Sequence, residues 1–347
     1  MYVDKHRFAL EPEALAGADD GPLRALFRGA RGKAGMLVRV ARAFPAVSRA
    51  YRALGNKESK AIFRDLLRYR LLGAYYSRIA YDRDLYEGVE NVLAEDIPSE
   101  MPLDPMKDPI GKEIRLWTVH YKGRPLKFYG SKPSAYSVRD GHQYYYDVGG
   151  VKIMPEEGDV LLDGGAYLGE MTMRFAADVG PSGKVIGFDP LPSHAVIASE
   201  VARRNQVQDR VRFVAAGLGS KSSVTSLDEV LAPAEAGDAL AINSGRRVGS
   251  DDRLITIDDY CAWSGVERVD FIKMDIEASE IAALQSSHET ILKWRPKLAI
   301  CVYNRYDDLW IITNMIRDRY PFYDLYLGHY TLHSEETVLY ARPRPGA

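Results

Sequence analysis

The chain has 347 residues, of which 46% are hydrophobic, and a formal charge of −2 at neutral pH. That length supports one large domain or two ordinary ones around a packed core, and the near-neutral balance excludes the basic footprint of a general nucleic-acid binder. Two cysteines, Cys261 and Cys301, are too few for a disulfide framework and point to a reducing, cytoplasmic setting. No run approaches the roughly 20 apolar residues that span a bilayer, and the start Met1-Tyr2-Val3-Asp4-Lys5 leads into no signal core, so secretion is not expected.

The first predicted elements are helices in a basic stretch, since Arg24 to Arg78 holds 14 Lys or Arg against only Glu58 and Asp65. Apolar residues recur at helical spacing at Leu37, Val40, Phe44, Val47 and Tyr51, and again at Ile62, Leu66 and Tyr69. Pro45 reads as opening a new helix and Asn56 as capping another. The basic face is either solvated or docks on an anionic surface, such as a membrane leaflet or a carrier protein. A β-rich lead-in follows: Ile114 to Tyr121 and Arg124 to Tyr129 predict a hairpin turned by Lys122-Gly123, and Gly149-Gly150 predicts a second tight turn. Tyr144, Tyr145 and Tyr146 lie in this lead-in, either packed in it or with one ring over a ligand.

From residue 158 strand and helix alternate. Val160 to Leu162, Lys184 to Phe188, Val211 to Ala216, Val269 to Met274 and Leu298 to Tyr303 read as strands, with a helix over Ser193 to Asn205 and another over Ile276 to Leu284. That alternation predicts a parallel sheet. Phe322 to Leu327 and Thr337 to Ala341 read as a terminal hairpin, and Lys221 to Asp252, rich in Ser, Gly, Ala and Asp, as a long loop that is either disordered or a substrate lid, the lid being the preferred reading.

The run Val160-Leu161-Leu162-Asp163-Gly164-Gly165-Ala166-Tyr167-Leu168-Gly169 carries the functional reading. An apolar strand ends in an acid, a glycine turn follows and a helix opens, the geometry of a nucleoside-cofactor loop. It is not the dinucleotide fingerprint G-x-G-x-x-G/A, because Ala166 takes the second glycine place. A carboxylate at Asp163 would repel a pyrophosphate but suits the ammonium of an amino-acid-bearing cofactor, which points to S-adenosyl-L-methionine. Asp189 ends the next strand, 26 residues on, where a carboxylate accepts ribose hydroxyls.

These residues make the chain resemble the FkbM family of S-adenosylmethionine-dependent methyltransferases. The likeness rests on Asp163 to Gly169, Gly187-Phe188-Asp189-Pro190, Asp270 to Glu277, Lys297 to Trp310 and Glu336 to Ala341, with weaker similarity at Lys57-Glu58-Ser59 and Tyr69 to Gly73. Two departures stand out: the family's usual I-E-G-A-E is Ile276-Glu277-Ala278-Ser279-Glu280 here, and the His-Lys-Pro that often follows Tyr303 is Asn304-Arg305-Tyr306. The resemblance implies an α/β fold, a class I methyltransferase (Rossmann-like) seven-stranded, mostly parallel sheet with one reversed strand, preceded by an N-terminal helical region and the β-rich lead-in. The expected divisions are 1–110 helical, 111–157 lead-in and 158–347 cofactor-binding domain.

The expected cofactor residues are Asp163, Gly164, Gly165, Ala166, Tyr167, Gly169, Asp189, Ala216 and Asp275. Methyl transfer to a hydroxyl needs positioning and one base. Asp275, at the end of a buried strand, and His329, after the strand Phe322 to Leu327, are the catalytic candidates, with His333 a weaker one. Asp275 reads alternatively as a helix N-cap and His329 as a surface histidine. Asp275, Glu277 and His329 together also have the side-chain types of a divalent-metal site, although a metal-free base is the preferred reading. The expected function is O-methylation of a sugar, glycan or other secondary metabolite. The alternatives are a nicotinamide-dependent oxidoreductase, on the approximate Gly164-x-Ala166-x-x-Gly169 spacing, and a non-catalytic scaffold, on the altered Ala278-Ser279 and Asn304.

Overall fold

The computed structural model describes residues 22–72, 91–92, 94–100, 106–107, 113–231, 249, 251–331 and 335–346, with side chains for all of these except 22–37 and 106–107. Gly73, Arg78, His333 and most of the loop from Lys221 to Asp252 lie outside the described residues.

In chain order the elements are α1 (Pro22–Ala53), α2 (Lys57–Leu72), β1 (Ser99–Glu100), β2 (Met106–Lys107), β3 (Glu113–Tyr121), β4 (Arg124–Gly130), α3 (Lys132–Arg139), β5 (Tyr146–Val148) and β6 (Val151–Ile153). The alternating region follows with β7 (Val160–Gly164), α4 (Glu170–Val179), β8 (Lys184–Phe188), α5 (Pro192–Arg204), β9 (Val211–Val214), β10 (Gly217–Leu218), β11 (Leu254–Ile255), α6 (Ile257–Ser264) and β12 (Phe271–Met274). The chain then forms α7 (Glu280–Gln285), α8 (His288–Trp294), β13 (Lys297–Cys301), α9 (Asp308–Arg319), β14 (Tyr323–His329) and β15 (Thr337–Pro343). The large sheet has seven strands in the order β14-β15-β13-β12-β7-β8-β9. Its β13-β12-β7-β8-β9 portion is parallel throughout. This is the expected α/β class, with the chain reversing its direction of travel across the sheet at β7.

The chain divides into two compact units. One joins residues 1–82 to 302–340 and 344–347, so the N-terminal helices belong with the C-terminal part of the chain and do not stand as a separate 1–110 region. The second, residues 83–301 with 341–343, contains the lead-in and the central strands. β1 and β2 already pair with β3, so the lead-in sheet begins upstream of residue 111.

In the first unit, α1 buries Val47 and Ala50, and Asn314 Nδ2 of α9 donates to the Ala46 carbonyl at 2.9 Å. The helix continues through Pro45, which was expected to start a new one. Proline removes one backbone hydrogen bond and crowds the preceding turn, but burial of Val47 and Ala50 in the following turn anchors the helix. Phe44 is 64% exposed and so falls off the apolar stripe assigned to it. Asn56 caps α2 as expected, its Oδ1 accepting from Ser59 N at 2.9 Å. The Ser59 hydroxyl accepts from Leu327 N at 2.8 Å, which stitches α2 to β14.

In the second unit, both expected hairpins form, β3 with β4 and β5 with β6. The lead-in is fixed to α4 by polar side chains. The buried Asp178 carboxylate accepts from Tyr145 Oη at 2.5 Å, Lys122 Nζ at 2.6 Å and Tyr121 Oη at 2.9 Å. Arg174 donates to the Ser137 carbonyl at 2.6 Å and to that of Gly141, and its guanidinium lies 4.0 Å from the Tyr145 ring centroid. Burial pushes the Tyr145 phenol well above its ordinary pKa, so it remains a donor to Asp178 across the physiological range.

Asp308, the first residue of α9, is 1% exposed and accepts from Arg305 N at 2.7 Å. Burial pushes its carboxyl up to about 6 from an ordinary 3.8. The folded chain therefore holds a proton that the unfolded chain releases between about pH 4 and pH 6, and stability falls as pH rises through that window. Asp308→Asn removes this titration. In urea unfolding at a series of pH values, the stability of the variant relative to wild type should rise from about pH 4 to pH 6 and level off above. Parallel curves would assign the slope to other groups.

Candidate active site at the carboxyl edge of the central strands

The site begins at an ion pair. In the parallel register Asp163 of β7 lies beside Lys273 of β12, and both are buried, Asp163 completely. Lys273 Nζ lies 2.9 Å from Asp163 Oδ1 and donates to the carbonyls of Gly164 and Gly165, each at 2.9 Å. Thr172 Oγ1, from α4, donates to Asp163 Oδ2 at 2.6 Å. Burial works to lower the ammonium's pKa, but the Asp163 and then the Asp275 carboxylates outweigh it and hold it raised. Asp163 therefore does not wait for a cofactor ammonium, as its position suggested; an internal lysine already neutralises it. Lys273 is the residue that the sequence reading missed, although a lysine inside the otherwise apolar Phe271-Ile272-Lys273-Met274 strand was a visible signal.

The glycine loop is shaped by this anchor. Gly165 has φ +78°, and a Cβ there would come within 1.8 Å of the Asp275 carbonyl oxygen. That contact by itself calls for glycine, so a branched side chain at this position disturbs the fold of the edge. The Gly165 and Ala166 amides donate to the Phe188 carbonyl at 2.9 and 3.0 Å. Tyr167 follows in the left-handed region at φ 49°, its ring edge-on to His194 with centroids 4.9 Å apart, and Gly169 at φ 87° caps α4. Ala216 is completely buried just beyond β9 and offers shape to the edge.

Asp189, one residue past β8, already serves three donors. Tyr167 N donates to its Oδ2 at 3.1 Å, while Leu191 N at 3.0 Å and His194 Nδ1 at 2.8 Å share Oδ1. A carboxylate has about four acceptor positions, so one remains on Oδ2, enough for a single hydroxyl and fewer than the pair expected.

Asp275 follows β12 and is half-buried. Tyr144 Oη, from the lead-in, donates to its Oδ2 at 2.9 Å, and the Tyr144 ring centroid lies 5.1 Å from Lys273 Nζ. The helix expected from Ile276 begins only at Glu280, with Ser279 as its N-cap, so Asp275 is not a helix cap. Between them is a tight turn in which Glu277 and Ala278 both have positive φ, 52° and 78°. The buried Glu280 closes it, accepting from Ile276 N at 3.0 Å. Such strained residues gather at functional sites, and Tyr144, at φ 70°, is another beside the same carboxylate.

The other catalytic candidate, His329, is the last residue of β14 in the first unit, half-buried, with its Nδ1 2.9 Å from Thr337 Oγ1. Among the described residues no cluster of three or more His, Cys, Asp or Glu side chains is placed to hold a metal ion. The expected set Asp275, Glu277 and His329 is thus not assembled.

Residues 163–322 match the model of the methyltransferase FkbM domain. The matched stretch, a little under half of the chain, contains the turn from Gly164 to Gly169, Asp189, Lys273 and Asp275. A crystal structure of an FkbM methyltransferase from Methylobacillus flagellatus KT is similar over 88% of this chain and 60% of that one, at 19% identity and a TM-score of 0.55. The chain thus covers less than two thirds of that protein's length. Fibrillarin from Aeropyrum pernix, solved with S-adenosyl-L-methionine natively bound, matches over 71% of this chain and 99% of its own, at 11% identity and a TM-score of 0.36. No curated protein sequence matches the chain. Among the described residues no helix is long and apolar enough to cross a membrane.

Two outcomes follow. Lys273→Met removes one partner of a buried pair and should lower unfolding stability by about 3–5 kcal/mol, whereas an isolated surface pair contributes under about 1 kcal/mol; chemical denaturation separates the two. Ala278 stands where the FkbM pattern has glycine and has φ 78°. Ala278→Gly relieves a left-handed alanine at a cost in unfolded-chain entropy, so the variant should gain up to about 1 kcal/mol, read as a higher melting temperature.

Proposed function

We propose that the chain is an S-adenosylmethionine-dependent O-methyltransferase acting on a hydroxyl of a sugar, glycan or other secondary metabolite. The observation that carries the reading is the Asp189 carboxylate at the end of β8, fixed by three donors with one acceptor position left, beside the turn from Gly165 to Gly169. That donor set suits one ribose hydroxyl of an adenosine, with Ala166, Tyr167 and Ala216 shaping the walls. The match of residues 163–322 to the FkbM model supports this reading over the nicotinamide-dependent alternative.

When bound, S-adenosylmethionine supplies an electrophilic methyl group on a sulfonium. The chain's own task is then to orient the acceptor and take its proton. Asp275 is the assigned base: the Tyr144 phenol fixes its carboxylate at 2.9 Å, and the Tyr144 ring centroid lies 5.1 Å from the Lys273 ammonium. The Asp275 carboxylate takes the proton of the acceptor hydroxyl. His329, held by Thr337, is the second candidate for this role.

Isothermal calorimetry should show binding of S-adenosylmethionine and none of NADH, with Asp189→Asn weakening the former about tenfold as a charge-assisted bond becomes a neutral one. Mass spectrometry then screens alcohols and sugars for the gain of one methyl group. On the acceptor so found, Asp275→Asn should lower turnover by about 10²- to 10⁴-fold with cofactor affinity within a few-fold of wild type. The same loss in His329→Ala, with Asp275→Asn active, would move the base to His329. A folded protein that does not bind S-adenosylmethionine would overturn the assignment.

A further inference from the structure

The helix α1 contains eight Lys or Arg and no Asp or Glu, although the whole chain has a formal charge of −2. The positive charge is therefore local. Soluble surface helices ordinarily mix the two signs, because like charges three or four residues apart repel and opposite ones attract. Along the described side chains of α1, Val47 and Ala50 are buried while Arg42, Arg49 and Arg52 are exposed. At about 100° per residue these three arginines fall within roughly 80° of one another and form one stripe along the helix. Val38, 50% exposed, lies on the same stripe, whereas Phe44, 64% exposed, lies about 120° round the helix from its centre. Among the described residues none of the three arginines forms an ion pair.

We propose that this face of α1 docks the protein peripherally on an anionic lipid bilayer. Arginines in one plane suit a sheet of anionic headgroups, which relieves their mutual repulsion. The exposed valine within the stripe finds apolar partners just below the headgroups. A nucleic-acid backbone satisfies the charge but leaves Val38 in water, and an acidic protein surface carries its charges on separate side chains and not in the continuous plane that the stripe fits. The contact is peripheral because the opposite side of the helix is buried in its own unit.

The test uses the full chain and sedimentation with vesicles, and it needs no methyl transfer, so its outcome is independent of the enzymatic reading. Vesicles containing phosphatidylserine should pellet the protein at low salt and release it at 1 M salt, where the screening length falls from about 10 Å at 0.1 M to about 3 Å. Vesicles of phosphatidylcholine alone should not bind. Arg42→Gln, Arg49→Gln and Arg52→Gln combined should weaken binding by about two orders of magnitude, at roughly fivefold per arginine, and Val38→Ser alone should weaken it several-fold, with circular dichroism reporting both variants folded. Should the triple variant fail to fold, the single Arg49→Glu serves in its place. Absence of binding to phosphatidylserine vesicles at low salt overturns the proposal. So does equal binding to both vesicle types, binding unchanged in the arginine variants, or binding insensitive to Val38→Ser with oligouridylate displacing the vesicles, which would mark a general polyanion site.

Discussion

The buried Asp163–Lys273 pair is the constraint around which the catalytic edge is arranged. Two charges taken out of water are tolerated only when nearly all their hydrogen-bonding capacity is used. Here Lys273 meets one carboxylate oxygen and two loop carbonyls, and Thr172 meets the other oxygen. The arrangement also fixes register. A one-residue slip of β12 against β7 would turn the lysine to the opposite face of the sheet, away from its counter-ion. The same ammonium sets the height of the Gly164-Gly165 turn and so the level at which Asp275 leaves its strand. One pair of side chains thereby determines where the backbone turns on two adjacent strands.

Around that fixed point the backbone is strained. Tyr144, Tyr167, Glu277 and Ala278 all have left-handed conformations that cost a non-glycine residue about 1–2 kcal/mol. The strain is held by specific partners: Glu280 closes the turn carrying Glu277 and Ala278, Asp189 anchors Tyr167, and Asp275 receives the Tyr144 phenol. The lead-in, bound to α4 through Asp178 and Arg174, is accordingly part of the same unit as the central strands and not an appendage.

Much of this was legible in the sequence because it follows from short-range rules. The uninterrupted apolar runs and the glycine turns mark the sheet and both hairpins of the lead-in. What escaped the reading depends on contacts distant in sequence. The neutralisation of Asp163 by a residue 110 positions away follows only from strand order. The helix after β12 was placed too early because Ile276 to Leu284 has helical spacing, and only the positive φ values at Glu277 and Ala278 show that the chain turns first. Pro45 reads as a helix start by its local rule, yet α1 runs through it, anchored by the buried Val47 and Ala50 further on. The gathering of residues 1–82 with 302–340 left no local mark at all.

That last feature bears on how the molecule is made. Ser59 hydrogen-bonds Leu327 and Asn314 hydrogen-bonds Ala46, each pair 268 positions apart, while Arg70 donates to the Tyr306 carbonyl across 236. During vectorial synthesis α1 and α2 emerge first, but the partners that bury them emerge last, so their apolar stripes stay unmatched through most of translation. Contacts of such long sequence separation also slow folding, because the loop must close before they contribute. The second unit, whose chain is nearly contiguous, completes while the first still lacks half of its core. The nascent chain is then a formed α/β core trailing two cationic amphipathic helices, a species suited to capture by a chaperone or an anionic surface until the last strand pair arrives.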